Sequence, residues 1–230
     1  MRASRIHWGV ALTKFPPLYP ILDAVFLPAD TSRRSEALAH LVTSLADAGV
    51  AILQYRNKQG NEAEILRDAA VIRAAAPASL TLILNDYAHL AAQAGFDGVH
   101  LGQEDMPPAQ ARSLLGPDAI IGLSTHNEAQ LRAAAAAPVD YIAIGPVCAT
   151  SSKANPDPVI GLDGVRLARN LTARPVVAIG GITLANAADV WAAGADSIAV
   201  ISAIFSAADP GCPAAQFLRL YPQIRVGAER

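Results

Sequence analysis

The sequence predicts an α/β protein of the closed (β/α)8, or TIM barrel, class in a single domain, and three observations carry that expectation. Short apolar or β-branched runs alternate with Ala- and Leu-rich stretches of helical period. The runs are apolar throughout, as strands are when helices cover both faces of a parallel sheet. Eight such units fit a chain of 230 residues better as a closed barrel than as an open doubly wound sheet.

Taken in order, the expected strands are LYPILD (18–23), VAILQY (50–55), LTLIL (80–84), DGVHL (97–101), AIIGL (119–123), YIAIG (141–145), PVVAIG (175–180) and SIAVI (197–201). Helices are expected over 34–48, 61–76, 87–94, 107–115, 127–136, 162–171 and 184–193, with a last one over 213–221. Gly49, Gly95 and Gly194 stand where C-terminal helix caps belong. The joints DAGV, QAGFDGV and AAGADSI resemble one another, a faint repeat of one βα unit. Helices between consecutive strands imply parallel pairing with right-handed crossovers. Residues 1–17 read as a leader ending in the helix-breaking Pro16 and Pro17, residues 18–222 as the barrel, and 223–230 as a tail.

Composition narrows the function. An apolar fraction of 52% with 17% charged residues supports a packed core rather than disorder. A net charge of −2 gives no electrostatic case for nucleic acid or an anionic membrane. No uncharged apolar run reaches a bilayer-spanning length. Cys148 and Cys212 form neither a disulfide framework nor a metal spacing, so a cytoplasmic setting is expected. No GxGxxG or GxxxxGK[ST] pattern marks a dinucleotide or P-loop site.

In this barrel class chemistry gathers where strands end. Strand 2 ends in Gln54, Arg56 and Lys58, strand 3 in Asn85 and Asp86, and strand 4 runs into Gly102, Gln103, Glu104 and Asp105. Strand 5 ends in Ser124, Thr125 and His126, and strand 6 opens into GPVCATSSK with Thr150, Ser152 and Lys153. Gly180 and Gly181 follow strand 7 and Ser202 follows strand 8, whereas the opposite ends look like short Ala/Gly joints. Asp86 and Asp105 would face each other from neighbouring strands. Two carboxylates beside an anionic ligand suit Mg²⁺, which keeps waters and shares phosphate oxygens. The alternative is that each acid caps the helix after it. Arg56 and Lys58, spaced i, i+2, with Lys153 suit a diphosphate, or form a solvated surface pair. The two glycines with Ser202 suit a single phosphate, or form a tight turn. His100, inside a strand, reads as a satisfied core histidine, while His126 either meets substrate or opens a helix.

Seven segments in register, QYRNK (54–58), ILNDY (83–87), GVHLGQED (98–105), IGLSTH (121–126), GPVCATSSK (145–153), VAIGGI (177–182) and AVISAI (199–204), resemble the thiamine-phosphate synthase family. The resemblance implies a Mg²⁺-dependent transferase. It joins a pyrimidine diphosphate to a thiazole phosphate, with or without a carboxylate on the thiazole, and releases diphosphate. It assigns Gln54, Tyr55, Arg56, Asn57, Lys58, Asn85, Ser124 and Lys153 to the pyrimidine diphosphate, with Arg56, Lys58 and Lys153 catalytic. Asp86 and Asp105 go to the metal. Thr150, Ser151, Ser152, Gly181, Ile201 and Ser202 go to the thiazole phosphate. Its implied partners are these small molecules alone, and a homo-oligomer is compatible with it. The sequence departs from the family pattern PT-x-T-K, with Ala149 for the proline and Ser152 for the second threonine, and carries Asn57 where relatives often have an acid. A thiazole tautomerase-like isomerase on the same barrel would not need Arg56, Lys58, Asp86 and Asp105. A non-catalytic phosphate-ligand sensor is the other alternative.

Overall fold

Strands β1 (Leu18–Asp23), β2 (Ile52–Arg56), β3 (Thr81–Asn85), β4 (Gly98–Leu101), β5 (Ile120–Thr125), β6 (Tyr141–Ile144), β7 (Val176–Ile179) and β8 (Ser197–Val200) pair in sequence order, all parallel. Pairing of β8 with β1 closes the barrel. This computed structural model describes residues 15–149 and 157–228, with residues 222–228 described by backbone alone. Helices α1 (Thr31–Asp47), α2 (Glu62–Ala75), α3 (Ala88–Gln93), α4 (Pro108–Leu115), α5 (Glu128–Ala136), α6 (Gly161–Leu171), α7 (Ala187–Ala192), α8 (Ser202–Phe205) and α9 (Gly211–Ala228) surround it. Among the described residues no helix is long and apolar enough to cross a membrane.

Local chemistry explains where the elements differ from expectation. The first helix begins at Thr31 rather than 34 because the Asp30 carboxylate accepts the Arg33 amide at 2.9 Å, an N-cap. Asn61 and Glu64 form a reciprocal capping box that starts α2. The final helix runs to Ala228, past the expected end at 221.

Strand alternation divides the core in two. Leu22, Leu53, Leu84, Val99, Ile121, Ile142, Val176 and Ile198 face outward and pack against the helices. Tyr19, Ile21, Ile52, Ile83, Ile120, Tyr141, Ala143, Val177 and Ala199 face inward and fill the barrel with Phe15. Truncating a fully buried leucine such as Leu53 to Ala should cost about 2–5 kcal/mol. Phe15, the residue described just ahead of β1, caps the end where the strands begin, its ring centroid 5.1 Å from that of Tyr141 and 6.3 Å from that of Tyr19.

That end of the barrel is not the plain Ala/Gly joinery the sequence led us to expect. Asp97, Asp140 and Asp196 stand just ahead of β4, β6 and β8, every second strand. Each carboxylate accepts a backbone amide of the preceding strand: Leu82 at 2.9 Å, Ile121 at 2.7 Å and Val176 at 2.9 Å. Each also pairs with an arginine of the preceding even-numbered helix, Arg73 at 3.6 Å, Arg112 at 2.6 Å and Arg169 at 2.6 Å. Arg112 further donates to the carbonyls of Gly116, Pro117 and Ala119, beyond the C-terminus of α4. The unit clamps helix, strand and next strand together. Two of its three acids, Asp97 and Asp196, fall in the similar joints QAGFDGV and AAGADSI; the DAGV joint carries Ala51 at that place, and Asp140 stands outside the repeat.

Candidate active site

At the opposite rim the strands end in Asp23, Arg56, Asn85 with Asp86, the Gly102–Asp105 turn and Ser124. The backbone and contacts of Asp86 speak against a capping role. Its φ is +65°, the one left-handed non-glycine backbone among the described residues. That conformation costs roughly 1–2 kcal/mol, somewhat less for Asp, whose side chain bonds locally. The cap residue of α3 is Tyr87, and no side chain caps it. The Asp86 carboxylate instead pairs with the Lys58 ammonium. Asp105 does not cap α4 either, whose cap residue is Pro107. One of its oxygens accepts the Gly102 amide at 2.7 Å, which folds the β4 loop back toward Asp86.

The two acids interact. Asp86 is pushed up to about 6, first by burial and then by a hydrogen bond from its carboxyl to Asp105, with Lys58 pulling the other way. Two facing carboxylates in a half-dry site strain each other, and a hard divalent cation relieves that strain. The all-oxygen donor set fits Mg²⁺. Among the described residues no three His, Cys, Asp or Glu side chains converge, so water and ligand oxygens would complete the shell, as Mg²⁺ accepts.

Arg56 pairs with Asp23 at the end of β1, and Asp23 also accepts the Val25 amide at 3.1 Å. Arg56, Lys58, Ile201 and Ser202 line one cavity of ≈ 980 Å³ that runs outward toward Arg34 and Asp68 on α1 and α2; Gln54, Asn85, Asp86 and Asp105 are not part of its lining. Exposure is graded along β2: Gln54 is 1% exposed, the Arg56 side chain 23% and that of Lys58 47%. Gln54 and Asn85 therefore lie deep, and the cations sit at the rim. Asn85, 7% exposed, keeps its Nδ2 without a protein partner, a buried donor that calls for one.

Tyr55 and Asn57 are placed differently from their neighbours. Strand alternation turns Tyr55 to the helix side, where its hydroxyl donates to Asp68, itself held by Arg34 at 2.7 Å. Asn57 shapes the loop, accepting the Gly60 amide at 2.8 Å and donating to the Tyr55 hydroxyl at 3.2 Å. Their side chains are committed to the scaffold. Gly180 (φ +101°) and Gly181 (φ +63°) permit close approach, as expected, but of the β6 loop: added Cβ atoms would lie 2.6 Å from Pro146 Cα and 2.4 Å from the Ala149 oxygen. Ser202 opens α8, as anticipated. Thr150, Ser151, Ser152 and Lys153 lie outside the described residues. His126 contacts Gly145 O at 2.7 Å and lies 3.5 Å from Asp157.

His100 is the satisfied core histidine expected, 2.9 Å from the Tyr141 hydroxyl and 2.8 Å from the Ser124 hydroxyl. Burial lowers it to about 4, with Asp105 opposing and Lys58 adding to the shift. Sequence reasoning missed Asp23, Tyr19 and Tyr141, and named Gln103 at the end of strand 4 without a role; its side-chain amide donates to Ser124 O at 2.5 Å. The strand-end rule applied to LYPILD would have found Asp23.

A closed barrel that brings Lys58, Asp86 and Asp105 together where its strands end has the form of a (β/α)8-barrel enzyme. The family model described as thiamine monophosphate synthase matches residues 24–204, and the chain belongs to that family. It is 50% identical over 207 residues to the thiamine-phosphate synthase of Koribacter versatilis, covering 90% of this chain and 96% of that one. The thiamine-phosphate synthase of Albidiferax ferrireducens is 43% identical over 183 residues, covering 79% and 83%. Among solved structures, the thiamine phosphate pyrophosphorylase of Pyrococcus furiosus superposes with a TM-score of 0.77 at 30% identity, covering 90% of this chain and 96% of that one.

Proposed function

We propose that this chain is a Mg²⁺-dependent thiamine-phosphate synthase. It joins 4-amino-2-methyl-5-(diphosphooxymethyl)pyrimidine to a thiazole phosphate and releases diphosphate. The observation that carries the reading is the Lys58–Asp86–Asp105 cluster at the rim, with Arg56 beside it and the unpartnered Asn85 amide beneath.

In this reading the first substrate lies with its ring toward Gln54 and Asn85 and its diphosphate toward Arg56 and Lys58, an orientation the graded exposure supports. In the reaction the thiazole ring nitrogen donates its lone pair to the pyrimidine methylene carbon. The carbon–oxygen bond to diphosphate breaks, and its electrons leave on oxygen. No proton has to be removed from the attacking nitrogen, so no general base is required. Mg²⁺, when bound by Asp86 and Asp105, supplies charge neutralisation to the leaving diphosphate. Arg56 and Lys58 aim fixed positive charge at the same oxygens, which is electrostatic stabilisation of developing charge. Their resting partners, Asp23 and Asp86, hold both cations at the rim before ligand arrives. Lys153 belongs with them on the resemblance, and Gly181, Ile201 and Ser202 with the hydroxyls of 150–152 make the thiazole phosphate seat. Free Cys148 and Cys212 and soluble phosphorylated substrates go with a cytoplasmic setting.

The test is to incubate the purified chain with both substrates and Mg²⁺ and measure thiamine phosphate and diphosphate. Release that requires both substrates and the metal is expected. Isomerisation of a thiazole phosphate alone would point to a tautomerase, and binding without turnover to a sensor.

A further inference from the structure

We propose that Tyr19, Tyr141 and His100 form a one-way hydrogen-bond relay across the barrel interior that positions Gln54 and Ser124 and leaves the Ser124 hydroxyl as a donor to the deep substrate ring. It is a role that rests on the substrate pair inferred above. The chain of contacts is continuous: Gln54 Nε2 donates to Tyr19 Oη at 3.0 Å, Tyr19 Oη lies 2.8 Å from Tyr141 Oη, and His100 bridges Tyr141 and Ser124.

Donor counting sets the direction. Tyr19 Oη accepts from Gln54, so its own hydrogen has Tyr141 Oη as its one recorded acceptor. Tyr141 then donates to His100 Nδ1. A neutral His100 carries its hydrogen on Nε2 and donates to Ser124 Oγ. Ser124 therefore keeps its hydroxyl hydrogen for a ligand, and Gln54 keeps its carbonyl oxygen and second N–H. With that amide orientation, reversing the relay strands a hydroxyl hydrogen on fully buried Tyr19, which is costly. A ring that meets both ends offers an acceptor to Ser124 and a donor to the Gln54 carbonyl. An aminopyrimidine, with ring nitrogens and an exocyclic amine, does so; a thiazole has no N–H donor.

The packing around the relay is specific to it. Gly122 lies in register between His100 and Tyr141 on the adjoining strands. A Cβ there would fall 2.0 Å from Tyr141 Cζ. Its absence lets the Tyr141 ring cross β5 and stack on His100, with centroids 5.5 Å apart and planes 19° from parallel.

Nitrogen-15 NMR of the ligand-free chain labelled at histidine reads the tautomer directly. His100 is expected to carry its hydrogen on Nε2, and an Nδ1–H tautomer would overturn the direction. Steady-state kinetics reads the positioning. Tyr141→Phe should raise KM for the pyrimidine diphosphate about tenfold and leave KM for the thiazole phosphate unchanged. An equal rise for both, or none, would overturn it. Tyr19→Phe, which retains the ring and the packing, should act in the same direction and serves if Tyr141→Phe folds poorly. A wild-type chain without synthase activity refutes the substrate reading, and the tautomer still decides the relay.

Discussion

The two rims of the barrel use the same residue types to different ends. At the rim where strands begin, Asp97, Asp140 and Asp196 each accept a backbone amide and meet an arginine, so charge is spent on the fold. At the other rim Asp86 takes a left-handed backbone, receives no helix-cap bond, and presses against Asp105 while holding Lys58. An acid that gives its oxygens to the backbone stabilises. An acid held in a strained turn beside another acid costs the fold stability, which is the arrangement the proposed metal site calls for.

Substitutions separate the two roles. The largest effect is expected at the mouth: Asp86→Asn should lower diphosphate release about 100- to 1000-fold in Mg²⁺ while circular dichroism and thermal unfolding stay near wild type. Wild-type turnover in that variant would break the contrast. At the far rim, Arg112→Ala should destabilise by about 2–3 kcal/mol through its lost carbonyl bonds and the unpaired Asp140, with kcat per folded molecule unchanged. For a chain of this size that is a fall in Tm of several degrees. Asp86→Gly sharpens the comparison, because glycine accepts φ +65° freely. It should raise stability by about 1 kcal/mol by urea denaturation while abolishing turnover.

Between the rims, His100 makes stability depend on pH. Its folded value of about 4 lies below the ordinary histidine value of about 6.5, so the unfolded chain binds the proton first. Its contribution is full above pH 6.5 and is lost as pH falls toward 4. Asp86, raised to about 6, works in the opposite direction over much of that window, so the His100 effect is read in an Asp86→Asn background: urea midpoints should drop there as pH falls, and adding His100→Gln should flatten the dependence. The smallest effect is expected for Asp163→Ala, which breaks an exposed pair with Arg166 on α6 belonging to neither rim. A change beyond about 0.5 kcal/mol would mean that surface pairs matter more than the clamps suggest.

The eight strands were legible because apolar runs and glycine stops repeat along the whole chain. Asp86 and Asp105 stood out in the sequence because each follows an apolar run, and the fold brings them together with neither capping a helix. Tyr19 and Tyr141 did not stand out, since a tyrosine inside an apolar run reads as core until strand parity places its hydroxyl among others. Asp97, Asp140 and Asp196 were hidden because their arginines lie 24, 28 and 27 residues earlier on separate helices, a spacing that only the folded barrel closes. Tyr55, which the resemblance assigned to the diphosphate, turns its side chain to the helices, because one residue from Arg56 along a strand is the opposite face of the sheet.

Phe15 and the two tyrosines, with the inward aliphatic side chains, close the interior at the end where the strands begin. Under the proposed reaction, a ring seated at Gln54 and Asn85 would enter and leave only by the opposite mouth. A second substrate lying above it would then arrive after it, and the joined product would retrace the same path.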